Sequence, residues 1–71
     1  MARARASTER VKQKGRTRGA LLAAAVRLVT AGRQPSVAEV ADAAEVSRRT
    51  AYRYFPTQEQ MLVEAALEGV R

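Results

Sequence analysis

Three hydroxyl residues, Ser36, Ser47 and Thr57, each stand at the head of a short amphipathic run, and each follows a break in the chain. That punctuation constrains the fold more tightly than any other feature, because it cuts the sequence into helices too short to be stable alone. "SVAE" from Ser36 and "TQEQ" from Thr57 have capping-box spacing. The hydroxyl accepts from the amide three residues on, whose side chain can reach back to the cap amide. Ser47 suits the N-cap of the run between them. Gly32 fits the left-handed position just past a helix end, and Pro35 marks that this helix has stopped. Pro56 disfavours helix for Phe55. The predicted helices are about 16–31, 37–44, 48–55 and 58–70, with no internal repeat and no strand of convincing length. The fold class is all-α.

Apolar spacing gives each helix an inner face. Leu21, Ala24, Ala25, Leu28 and Val29 recur at three- and four-residue intervals in the first, and Val37, Val40, Ala41 and Ala44 do so in the second. Met61, Leu62, Ala65, Ala66 and Val70 form the stripe of the fourth. Residues 1–15 show no such period. Small, polar and basic, they bury too little to offset ordering, and they read as a disordered basic arm ahead of a domain over 16–71.

The chain has 71 residues and neither cysteine nor histidine. Disulfides, thiolate or imidazole metal sites and histidine-based catalysis are excluded, so no catalytic residue, metal or cofactor is expected. Net charge is +6. Residues 1–18 carry seven basic side chains against Glu9 alone, and Arg48, Arg49 and Arg53 add a second basic cluster. Such a distribution suits a polyanionic partner. No run approaches the ~18 apolar residues of a membrane span. Nor does an apolar core of signal-peptide length follow the basic start, so the chain reads as cytoplasmic with no membrane partner.

The cluster lies in "EVSRRTAYRYF", Glu45 to Phe55. At 100° per residue, Ala51 and Phe55 share one side of the third helix and face the core, with Arg49 and Arg53 opposite. Thr50, Tyr52 and Tyr54 flank them, and Arg48 sits in the first turn. Two short helices across a tight turn, braced by a longer one, describe a helix-turn-helix. Arginine can form a bidentate pair with guanine O6 and N7, while tyrosine and threonine hydroxyls reach phosphate. The dipole of the helix start at Ser47 favours an anion. The plainer alternative is a solvated basic face.

These residues carry a resemblance. "LLAAAVRLV" followed by "PSVAEVADAAEVSRRTAYRYFPTQEQML" closely resembles the DNA-binding domain of the tetracycline-repressor family of bacterial transcriptional regulators, over roughly Thr17 to Leu62. Its most specific part is the ordered set Val46, Ser47, Thr50, Tyr52, Tyr54 and Phe55. The resemblance implies a three-helix domain whose third helix enters the major groove, with base contacts from Arg48, Arg49 and Tyr52. Phosphate contacts are implied for Ser36, Thr50, Arg53 and Tyr54, with Ser47, Thr57 and Gln58 at helix starts completing the set. The resemblance also implies a palindromic double-stranded operator and a homodimer in the intact protein, probed by a small-molecule inducer through a C-terminal domain absent here. The segment itself is expected to be monomeric or weakly paired, and the intact protein a repressor.

Two positions depart from the family pattern. Glu45 stands where glycine is usual, at a cost on the order of 1 kcal/mol if φ is positive. Gln58 replaces a phosphate-meeting lysine, so one point charge is lost. Arms that precede such domains can enter the minor groove, which makes Arg3, Arg5 and Arg10 candidates for that contact. Two other functions compete with sequence-specific binding. One is a non-specific polyanion or membrane-surface binder driven by the arm, and the other is a protein-interaction module using the fourth helix.

Overall fold

A computed structural model describes the backbone of residues 2–70 and the side chains of residues 15–69. The described residues form four helices and no strand: α1 (Ala2–Thr30), α2 (Val37–Ala43), α3 (Arg48–Tyr54) and α4 (Gln58–Val70). Three of the four match the boundaries expected from capping to within a residue. The first differs. Its helical backbone begins at Ala2, where the sequence reading expected a disordered arm over 1–15 and a helix from about 16. Apolar periodicity shows where a helix packs, not where it starts. The alanine, arginine, lysine, glutamate and glutamine of this stretch have good intrinsic helix propensity, and no proline interrupts them.

Each short helix is started by its predicted cap. Ser36 Oγ accepts from the Glu39 amide at 3.1 Å, and Glu39 Oε1 accepts from the Ser36 amide at 3.2 Å, which closes the capping box. Ser47 Oγ accepts from the Thr50 amide at 3.2 Å, and Thr57 Oγ1 from the Gln60 amide at 3.1 Å. Phe55, before Pro56, leaves the helical region at φ −132°, ψ 88°.

Two helix ends are closed by the same hydrogen-bond pattern. After α1, the Gly32 amide donates to Val29 O at 2.9 Å and the Arg33 amide to Leu28 O at 3.0 Å. After α2, the Glu45 amide donates to Asp42 O at 3.2 Å and the Val46 amide to Ala41 O at 2.9 Å. Both are Schellman motifs, with Gly32 at φ 87° and Glu45 at φ 57° in the left-handed position. The second motif is the turn that sets α3 against α2.

α1 packs along α4 and also meets the α2–α3 pair, so every helix contributes to one core. Leu21, Val40, Ala41, Ala51, Phe55 and Met61 are fully buried within it. Leu22 is buried as well, while Val29, one heptad further along the same side of α1, is 41% exposed. The last turn of α1 therefore carries that side out of the core. Ala66, assigned to the inner stripe of α4, is exposed, and Val46 is only partly buried against the core. Among the described residues, no polar or charged side chain is buried. The polar side chains of the described residues thus all reach the surface at least in part, and none of the described helices is long and apolar enough to cross a membrane.

Candidate nucleic-acid interface

α3 is two turns long and owes its orientation to two residues. Ala51 and Phe55, four apart, are both fully buried, which turns the other side of the helix outward. Arg48, Arg49, Tyr52 and Arg53 are exposed on that outer side, and Tyr52 retains 47% of its surface. Thr50 and Tyr54 are half-buried at the flanks, Tyr54 resting against the core. The arrangement expected from helical spacing is thus the observed one: an apolar face locks α3 to α1 and α2, and a cationic, aromatic face meets solvent.

The arginines are not equivalent. Arg49 and Arg53 have no ion pair among the described residues. Arg48 has one: its Nη2 donates to Asp42 Oδ2 at 2.7 Å and its Nε to Asp42 Oδ1 at 3.2 Å, across the turn from α2. These hydrogen bonds, together with the arginine's charge, hold the Asp42 carboxyl below its ordinary range and raise Arg48 in turn. Sequence reasoning passed over Asp42. The signal available was an acidic residue in the last turn of α2, where the helix dipole favours cations, six positions ahead of an arginine across a tight turn.

The hydroxyl candidates serve the helix starts first. Ser36, Ser47 and Thr57 each accept a backbone amide as described above, and Ser47 Oγ also donates to Thr50 Oγ1 at 2.8 Å. In Ser36 and Thr57 the accepting oxygen still carries a hydroxyl proton that can be given to an outside acceptor. Beside Ser36, Arg33 Nη2 meets Glu39 Oε2 at 2.5 Å, so the second half of the capping box also anchors the α1–α2 loop.

Gln58 has a task the sequence did not reveal. Its Nε2 donates to Pro35 O at 2.9 Å and to Gln34 O at 3.2 Å, which ties the start of α4 to the loop that leads into α2. Its amide nitrogen is thereby engaged by backbone carbonyls, and the remaining side-chain oxygen is an acceptor that cannot donate to a phosphate. Arg3, Arg5 and Arg10 belong to side chains outside the described residues.

Surface positions at the starts of α2, α3 and α4, together with the outer face of α3, therefore collect hydroxyl and guanidinium donors. Such a surface suits an anionic partner larger than a small molecule. A family model described as bacterial regulatory proteins, tetR family, matches residues 21–65, which cover α2, α3 and most of the core. No curated protein and no solved structure matches the chain.

Proposed function

The chain belongs to the tetR family of bacterial regulatory proteins and carries its DNA-binding helix-turn-helix, and on that footing we propose that it recognises a specific double-stranded sequence by laying α3 in the major groove. Arg48 and Arg49 read base edges, Tyr52 touches a base or the adjacent backbone, and Thr50, Arg53 and Tyr54 hold phosphates. Ser36 and Thr57 add hydroxyl contacts to phosphate, and Ser47, whose proton goes to Thr50, contributes through the backbone amides at the start of α3. The carrying observation is the two-sidedness of α3: Ala51 and Phe55 are wholly buried while three arginines and Tyr52 stand outside. A helix fixed so firmly by its inner side can present the outer one in a single register, which base readout requires.

Gln58 has a smaller part in this reading than the sequence suggested, because its amide donors are engaged by Gln34 and Pro35. The intact regulator acts as a repressor, pairs as a homodimer on a palindromic operator with half-sites about one helical turn apart or a multiple of it, and responds to a small-molecule inducer through a further domain. The basic arm, through Arg3, Arg5 and Arg10, adds affinity from the minor groove.

Selection from random duplexes, followed by footprinting of the winning sequence, tests the proposal. A defined motif protected over a major-groove face is expected. Equal retention of duplex DNA, RNA and heparin at matched salt would instead favour a binder driven by charge alone.

A further inference from the structure

We infer that Asp42 is a positioning residue for base recognition: by gripping one edge of the Arg48 guanidinium it presents the adjacent, terminal edge to a guanine and so sets sequence preference at that base pair. The inference rests on the reading of Arg48 as a base-contacting residue.

The geometry carries it. Asp42 takes the Nε and Nη2 side of Arg48, at 3.2 and 2.7 Å. A guanidinium has five N–H donors in a rigid plane, and this side-on grip uses two of them. Three remain, and of these the outer Nη1 proton and the outer Nη2 proton are parallel and on one edge, the fork that matches guanine O6 and N7. A carboxylate bound end-on would have consumed that fork. The side-on grip leaves it open and removes freedom from a long side chain that would otherwise have to be ordered on binding.

Stability does not explain the pair. The side chains of Arg48 and Asp42 are 63% and 59% exposed, and ion pairs that wet contribute little to folding. Asp42 also sits in the last turn of a helix whose dipole disfavours it there, and its charge opposes the approach of phosphates. A residue that local helix physics and DNA electrostatics both disfavour fits a role in selectivity better than one in affinity. Because Arg48 depresses the Asp42 carboxyl, the grip stays charged at neutral pH.

The test uses the 71-residue chain, the duplex selected by it, and the single-base-pair variants of that duplex. Arg48→Ala should identify the base pair Arg48 reads. Asp42→Asn and Asp42→Ala should each lower discrimination at that same base pair by about fivefold or more, the scale of losing a well-formed bidentate contact. Binding to unrelated duplexes should hold or rise, and thermal unfolding should show both variants folded. In the Arg48→Ala background, Asp42→Asn should change nothing further at that position.

Unchanged or sharper discrimination in both Asp42 variants would overturn the inference while leaving Arg48's own role intact. So would an Asp42→Asn effect that persists without Arg48, since Asp42 would then be touching the DNA itself. If Arg48→Ala altered no base preference, the reading of Arg48 would fail and the inference with it, a result distinct from the other two.

Discussion

Glu45 occupies at the end of α2 the same left-handed position that Gly32 occupies at the end of α1, with φ 57° against 87° and the same pair of amide-to-carbonyl bonds around it. For glycine that conformation is free of Cβ strain. For glutamate it costs about 1–2 kcal/mol, and the turn between α2 and α3 holds the residue there regardless. Glu45→Gly should therefore stabilise the domain by about 1 kcal/mol, raising the unfolding midpoint by ~4–8 °C for a domain this small. Thermal unfolding followed by circular dichroism checks it. An unchanged or lower midpoint would mean that the turn is not strained.

Much of the fold was legible because its determinants are local. Ser36, Ser47 and Thr57 announce helix starts within three residues of themselves, and Gly32, Pro35 and Pro56 announce ends the same way. The two-sided character of α3 followed from four-residue spacing alone. What the sequence concealed depends on which helix lies beside which. The burial of Leu22, the exposure of Val29 and Ala66, the grip of Asp42 on Arg48 and the inward turn of Gln58 all require the tertiary arrangement. The length of α1 escaped for another reason: propensity without an apolar period leaves no amphipathic mark.

Phe55 joins α3 to the core, and Arg18 of α1 stands over its ring, 5.8 Å from the centroid, while also pairing with Glu64 of α4. Phe55→Ala should cost about 3–5 kcal/mol, comparable to the whole stability of a domain of this size, and leave the chain largely unfolded at 25 °C. Near-native helicity and a cooperative transition in that variant would contradict the packing described.

Arg18→Ala should be milder, at about 1 kcal/mol, because a half-exposed ion pair and a cation–π contact are each worth less than that. It should exceed the loss from Glu64→Ala, since only Arg18 makes both contacts. Chemical denaturation by urea would rank the two variants, and equal losses would remove the ring contact from the account.

Gln58→Ala should destabilise the domain by about 1 kcal/mol by releasing two backbone carbonyls in the loop before α2. Its affinity for the selected duplex, measured where both proteins are folded, should match that of the unmodified chain, because no phosphate contact is lost. A clear loss of affinity with unchanged stability would restore Gln58 to the phosphate set and reverse the assignment.

Arg53→Ala should weaken binding to all duplexes about equally and reduce the salt slope by about one unit, as loss of one phosphate contact does. Arg49→Ala should instead relax preference at one or two base pairs. Titrations at several salt concentrations, run on the selected duplex and on a scrambled one, separate the two behaviours. Identical uniform effects from both would refute direct readout by Arg49.

The most direct measurement is a titration of the isotope-labelled chain with its selected duplex, followed by amide chemical shifts. The account predicts the largest movements across residues 47–54, with smaller ones at the starts of α2 and α4 and little change at Val63, Leu67 and Glu68, which are exposed further along α4. Shifts that stay fixed across α3 while those of residues 2–14 move would contradict it, showing a polyanion held by the basic arm with the outer face of α3 untouched.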